Sequence, residues 1–302
     1  MQIPASLQNG DTVMIIAPAG PPTQSHIITA KQKLEKLGLS VILGKSVQTT
    51  HGYLAGEDSI RLLDLHEAFC NPNVKAIFCA RGGYGSGRLL DYIDYDLIQS
   101  NPKIFWGYSD ITALHIAFGQ HGNLVTFHGP MMEELGKGLD SLSLSSFEQL
   151  FHPYSMIIRA DECISNVYPS ITAVLTGGNL SVITSTLGTP YEIDTNGKVL
   201  LLEDIGEEPY RIDRMLNQLR LAGKFSHCRG VFFTSCYKCT SSKSSLSLQH
   251  ILYDYIVPYN IPLLIGAPIG HVKPNIGIPL HVPVTLHSKN KTMTIQAGID
   301  IN

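Results

Sequence analysis

The sequence predicts an α/β protein in two parts. An N-terminal open parallel-sheet α/β domain is expected over residues 1–150, a linker over 151–170, and a smaller mixed α+β C-terminal domain over 171–302. Three observations predict this. Short apolar runs alternate with stretches of helical period through the first half, the rhythm of a sheet with helices on both faces. That rhythm stops near residue 150, where an irregular stretch carries prolines at 153 and 169. Beyond it the texture is mixed, and the tail from Pro279 to Ile299 shows period-two alternation at Val282, Val284 and Leu286.

Taken in order, Asp11 to Pro18 reads as a first buried strand ending in the rigid turn Ala19-Gly20-Pro21-Pro22. A helix over 24–37 would place Ile27, Ile28, Leu34 and Leu37 on its core face, with Gly38 closing it. Ser40 to Leu43 is strand-like. Glu57 to Phe69 reads as a second amphipathic helix facing the core with Ile60, Leu62, Leu63, Leu65, Ala68 and Phe69. Val74 to Ala80 is a buried strand, followed by the glycine-rich loop Arg81 to Arg88. Lys103 to Trp106 and Leu124 to Phe127 are further strands, the first leading into a helix with Ile111, Leu114, His115 and Phe118 at helical spacing. In the second half, Val174 to Leu180 reads as a strand end, a glycine turn and a helix start. Lys198 to Leu202 is a buried strand that delivers Glu203 and Asp204. Pro209 to Leu221 is a helix with Pro209 in its first turn, core residues Ile212, Met215, Leu216 and Leu219, and Arg211 and Arg214 on its solvated face. Val231 to Phe233 and Pro262 to Gly266 are strands.

Composition narrows the function classes. Hydrophobic residues make up 44% and charged residues 16%, a globular balance. Net charge is −3 without any Lys/Arg run, so no nucleic-acid partner is expected. Met1 to Asp11 lacks the basic and apolar regions of a secretory signal, and no apolar run reaches the ~18 residues that span a bilayer. A cytoplasmic protein with no membrane partner is expected. Six cysteines, at 70, 79, 163, 228, 236 and 239, read as free thiols in that compartment. Cys236-Tyr237-Lys238-Cys239 has no second pair at zinc-ribbon spacing, and no His, Asp or Glu cluster shows ligand spacing, so no metal is expected.

The stretch Ile104 to Phe118 carries the candidate chemistry. Ser109 falls on a sharp strand-to-helix turn, where a hydroxyl is held out of the sheet and backbone N–H groups face outward. The match to G-x-S-x-G is incomplete, because Ile111 stands at the second glycine. Two readings stay open: a nucleophile, or an N-cap for the helix. The loop Arg81-Gly82-Gly83-Tyr84-Gly85-Ser86-Gly87-Arg88 is neither a dinucleotide fingerprint nor a P-loop, which leaves a nest of N–H donors or a plain tight turn. A serine nucleophile needs a base and a group to orient it. His271, after an apolar strand and beside Gly270, has the best context, with His128 as rival. Glu203 and Asp204 follow four apolar residues and so need a partner; for Glu203 the alternative is a salt bridge to Arg211 or Arg214.

Eight separated stretches then fit one family in order: Ile16-Ala17-Pro18-Ala19-Gly20, Arg81 to Gly85, Gly107 to Ala113, His128-Gly129-Pro130-Met131, Gly177-Gly178-Asn179-Leu180, Leu202-Glu203-Asp204-Ile205, Pro209 to Leu216, and Gly270-His271. On these the chain resembles the LD-carboxypeptidases, or muramoyltetrapeptide carboxypeptidases, serine peptidases that include the microcin C immunity peptidases. The resemblance implies a serine–histidine–glutamate triad at Ser109, His271 and Glu203, and an oxyanion hole from the backbone N–H groups of Gly83 and Asp110. It implies release of terminal D-alanine from murein tetrapeptides in cytoplasmic peptidoglycan recycling, with no cofactor. Arg81 is the candidate for the D-alanine carboxylate, a homodimer is the expected assembly, and the site is expected where the two domains meet. After the histidine this chain departs from the family pattern, because Ile278-Pro279-Leu280 runs into His281. Two other functions are weighed: an immunity peptidase acting on acyl-adenylate peptides, and a non-catalytic two-lobed protein holding a small anion.

Overall fold

The computed structural model describes residues 1–165 and 168–300. The chain divides into two compact units, one comprising 1–154, 274–280 and 297–302, the other 155–273 and 281–296.

In the first unit, β1 (Thr12–Ile16), β2 (Ser40–Leu43), β3 (Val74–Cys79), β4 (Ile104–Gly107) and β5 (Thr126–His128) are mutually parallel, in the order β5-β4-β3-β1-β2. Buried β-branched and aromatic runs make these strands, as expected of a sheet covered on both faces. Helices Gln24–Lys36, Asp58–Cys70 and Thr112–Gln120 lie between them in sequence. Their buried faces correct the sequence reading. On the first helix Ile27, Ala30 and Leu34 are buried, while Ile28 and Leu37 are exposed. On the second, Leu63 is exposed, and Arg61 and Asp64 are buried among Leu65, Ala68 and Phe69. These two polar residues are kept inside by loops that need donors and acceptors. Asp64 accepts from the amides of Lys45 (3.0 Å) and Ser46 (2.6 Å), and Arg61 donates to Gly85 O at 2.8 Å.

The second unit is built on strands β6 (Met156–Arg159), β7 (Glu162–Ser165), β8 (Ser170–Asn179), β9 (Lys198–Ile205), β10 (Gly230–Tyr237) and β11 (Leu263–Ile265). Next in sequence, β12 (Ile278–Leu280) pairs antiparallel with β5 and so belongs to the first sheet; β13 (Pro283–His287) and β14 (Thr292–Ile295) complete the second. The second sheet runs β6-β14-β13-β8-β9-β10-β11-β7, with β8, β9, β10 and β11 parallel and the flanking strands antiparallel. The α/β first unit and mixed second unit agree with the expected fold class. Two details differ. The stretch 151–170 holds β6 and β7, short strands hidden from sequence reading by their flanking prolines and turns. The tail also returns twice to the first unit, once as β12 at the edge of its sheet and again from residue 297 onward.

Helix Pro209–Leu221 buries Ile212, Met215, Leu216 and Leu219 as its period required, with Arg211 and Arg214 exposed. No helix among the described residues is long and apolar enough to cross a membrane. One cysteine expectation is overturned: Cys236 and Cys239 are joined in a disulfide, their Cα atoms 5.5 Å apart. Lys238 between them adopts a left-handed φ of 56°, which turns the chain back on itself within the C-x-x-C.

Gly177 and Gly178 do not form the expected turn. They lie inside β8 with φ of 129° and 140°. A Cβ on Gly177 would collide with the Leu201 carbonyl oxygen on β9. Gly177→Ala is therefore expected to destabilise the protein by on the order of 3 kcal/mol, combining backbone strain with overpacking, as read by urea unfolding.

Candidate active site

Four loops of the first unit leave the carboxyl ends of β1, β3, β4 and β5, the edge where open α/β sheets bind ligands. At the end of β4, Tyr108 is fully extended and Ser109 takes φ of 62°. A left-handed non-glycine residue costs about 1–3 kcal/mol, so its surroundings must over-determine it. They do. The Gly107 carbonyl, two residues earlier, accepts from Gly129 N at 3.1 Å and lies 2.8 Å from His115 Nε2. Trp106 Nε1 donates to Pro130 O at 2.8 Å. The short 3₁₀ turn Ser109–Ile111 and helix Thr112–Gln120 follow directly, with Tyr108 and Ile111 at their N-cap positions.

The glycine loop lies against this serine. A Cβ on Gly82 would sit 3.0 Å from Ser109 Cβ and 3.2 Å from its Oγ. Gly83 comes next with φ of 104°, and Gly20 N donates to Gly82 O at 2.9 Å. Further along the loop, Ser86 N donates to the Asp110 carboxylate at 2.8 Å and Ser86 Oγ to the Asp110 carbonyl at 2.6 Å. Burial raises the Asp110 pKa, and the hydrogen bonds from Ser86 act against that rise. Both expected oxyanion residues, Gly83 and Asp110, thus belong to elements packed around Ser109. Arg61, which sequence reasoning passed over as one more helical charge, holds the loop from the other side through Gly85 O. His128, the rival base, is fully buried with its ring edge-on to Tyr108 at 5.6 Å. Arg81 is half exposed, donates to Pro21 O at 2.7 Å and lies 3.7 Å from Glu133 Oε2.

In the second unit, β9 delivers Glu203 fully buried. Its Oε2 lies 2.7 Å from His271 Nδ1 and accepts from His271 N at 3.2 Å, while Oε1 accepts from Asn179 Nδ2 at 3.2 Å. An ionised carboxylate only accepts, so Nδ1 carries the imidazole proton and Nε2 is left as the basic nitrogen. Gly270 makes the approach possible: it has φ of 99°, and a Cβ there would stand 2.5 Å from Glu203 Oε2. Arg211 is exposed and lies 3.5 Å from Glu207, so the salt bridge weighed for it is made with Glu207. Asn179, missed as a site residue, caps helix Leu180–Ser185 and also reaches Asp204 Oδ1 at 3.3 Å.

Residues 13–129 match the LD-carboxypeptidase N-terminal domain and residues 172–286 the LD-carboxypeptidase C-terminal domain. The chain belongs to the LD-carboxypeptidase family. It is 48% identical to a probable murein peptide carboxypeptidase of Bacillus subtilis (strain 168), over 98% of this chain and 95% of that one. It is 33% identical to the murein tetrapeptide carboxypeptidase of Pseudomonas aeruginosa, over 88% and 90%. Among solved structures, the microcin C7 self-immunity protein MccF in complex with aspartyl sulfamoyl adenosine superposes with a TM-score of 0.87 at 25% identity, covering 98% of each chain.

The carboxylate next to Glu203 titrates unusually. Asp204 is buried, and burial above all raises its pKa from 3.8 to about 6; the Glu203 charge adds to the rise, while the Ile205 and Ser181 amides and the Asn179 side chain oppose it. The folded state therefore holds this proton more tightly than the unfolded chain does. The stability Asp204 contributes is full below pH 3.8 and is lost as pH rises through about 6. Asp204→Asn is expected to flatten that decline, measured by urea unfolding at stepped pH.

Proposed function

We propose that this chain is a serine LD-carboxypeptidase that releases terminal D-alanine from murein tetrapeptides in the cytoplasm, with Ser109, His271 and Glu203 as its triad. The observation that carries the reading is the 2.7 Å pairing of His271 Nδ1 with the fully buried Glu203 carboxylate. The hydrogen bond to the carboxylate fixes the tautomer, and a histidine so held has one task for which Nε2 suits it: moving a proton. The 48% identity to a murein peptide carboxypeptidase supports the substrate class.

In this reading His271 Nε2 accepts the Ser109 proton as Oγ attacks the carbonyl that precedes D-alanine. Glu203 stabilises the imidazolium. The N–H groups of Gly83 and Asp110 receive the oxyanion, each preorganised donor typically contributing ~3–4 kcal/mol. His271 then protonates the departing D-alanine amine, and water, deprotonated by the same nitrogen, hydrolyses the ester. Arg81 is proposed for the substrate carboxylate. Its exposed guanidinium, already steered by Pro21 O and Glu133, is available at the glycine loop.

One observation favours a second reading, an immunity peptidase for acyl-adenylate peptides. Tyr53 and Tyr84 are exposed, with ring centroids 5.8 Å apart, and could offer a face to a purine. Incubation with purified murein tetrapeptide is expected to yield tripeptide and D-alanine by mass, faster in kcat/KM than cleavage of a peptidyl-adenylate analogue. Equal rates would promote the second reading. Folded Ser109→Ala is expected to lose both turnover and covalent labelling by a serine-directed phosphonate; retained turnover would rule out Ser109 as nucleophile.

For Glu203→Gln the expectation is a fall in kcat of roughly 10⁴-fold, as for an amide replacing the triad acid elsewhere. Normal turnover with a lowered melting temperature would mean that Glu203 is only structural.

A further inference from the structure

Strand β10 carries one residue more than β9 where it passes Glu203. Phe233 is opposite Leu202 and Ser235 is opposite Glu203, so Thr234 is the residue passed over. In a regular strand, successive side chains point to opposite faces. A bulge re-aims them, and here two consecutive hydroxyls converge on one atom. Thr234 Oγ1 lies 3.1 Å and Ser235 Oγ 2.9 Å from the carbonyl oxygen of Ile269. Thr234 Oγ1 also lies 3.3 Å from the Leu202 carbonyl. All four residues are buried.

Both carbonyls stand next to the catalytic pair in the chain. Leu202 immediately precedes Glu203, and Ile269 precedes Gly270 and His271. Thr234 thus bridges the segment that carries the acid and the segment that carries the base. A hydroxyl has one proton and serves one carbonyl at a time. When Thr234 turns to Leu202, Ser235 keeps Ile269 satisfied. The same stretch of β10 holds the loop through its backbone, with Gly266 N donating to Phe233 O at 3.0 Å and Ala267 N to Thr234 O at 2.8 Å.

We propose that Thr234 and Ser235 are positioning residues for the Glu203–His271 pair, their hydroxyls fixing the histidine loop against the strand that carries the glutamate. This rests on the peptidase reading above, in which His271 is the base. Satisfying a buried carbonyl needs one donor. The second donor, and the bulge that aims it, are what positioning adds.

The test compares Thr234→Val/Ser235→Ala with the hydroxyl-keeping Thr234→Ser/Ser235→Thr, on murein tetrapeptide, in wild-type and His271→Ala backgrounds. In the wild-type background the first pair is expected to lower kcat roughly a hundredfold, the scale of a 1 Å misplacement, with KM nearly unchanged. The hydroxyl-keeping pair is expected to restore most of that loss. In the His271→Ala background the first pair should cost nothing further, because residues acting through one base are not additive. Wild-type kcat in the folded first pair overturns the proposal. So does an equal loss in both backgrounds, or a loss that tracks the folded fraction in thermal melts. A fully active His271→Ala would refute the peptidase reading, and this inference with it.

Discussion

Complete burial of the Glu203 carboxylate is the constraint that the second unit is arranged to meet. Removing such a charge from water costs several kcal/mol even after the protein relaxes, so its oxygens must be given donors. They receive His271 Nδ1, the His271 amide and Asn179 Nδ2. Each donor fixes something else in turn. Asn179 is held as a helix cap by Val182 N and by Ser181 Oγ. The His271 amide reaches the carboxylate because residue 270 is a glycine with positive φ. An electrostatic requirement at one atom thus accounts for residue identity at several positions with no chemistry of their own.

The first unit meets a steric requirement instead. Ser109 leaves β4 in a left-handed conformation, and only a rigid frame keeps it there. The frame is the parallel sheet itself, since the Gly107 carbonyl is fixed from the adjoining β5 turn and from the helix after Ser109. The glycine loop can then lie against the serine because residue 82 has no side chain. Arg61 and Asp64 share a further task on one helix. Buried on a helix whose core face was read as wholly apolar, they hold loop backbones on either side of β1.

This explains which parts were legible in the sequence. Most strands of both sheets announce themselves as apolar runs, and helix Pro209–Leu221 displays its buried face residue by residue, because hydrophobic period is a local property. Ser109, Glu203 and His271 stood out as candidates because each stands at the end of such a run beside glycine or a turn, while their grouping as a triad came from the resemblance to the family. Arg61 and Asp64 were not legible. Their burial depends on carbonyls and amides tens of residues away, and a charge at helical spacing looks the same whether it faces water or a loop. The disulfide of Cys236 and Cys239 was missed for a related reason: the left-handed turn at Lys238 that brings the sulfurs together has no marker in a lysine. Strands β6 and β7 were lost among prolines, since their pairing partners lie far along the chain.

The same device serves Ser109 in one unit and Glu203 in the other. A buried strand ends at a side chain of the proposed triad, and a glycine on a neighbouring loop removes the one atom that would keep that loop away: Gly82 beside Ser109, Gly270 beside Glu203. Glycine is permissive, however, and cannot by itself choose a position within the space it opens. In the first unit the choice is made by Arg61 and Asp110, which hold Gly85 and Ser86 on the far side of the loop. In the second it falls to groups that bond the loop on either side of Gly270, and these include Glu203 and the bulged end of β10. In the proposed site the triad residues are dictated by chemistry and their adjoining glycines by space. The polar residues one step further out are dictated by the need to select a single geometry from those the glycines allow.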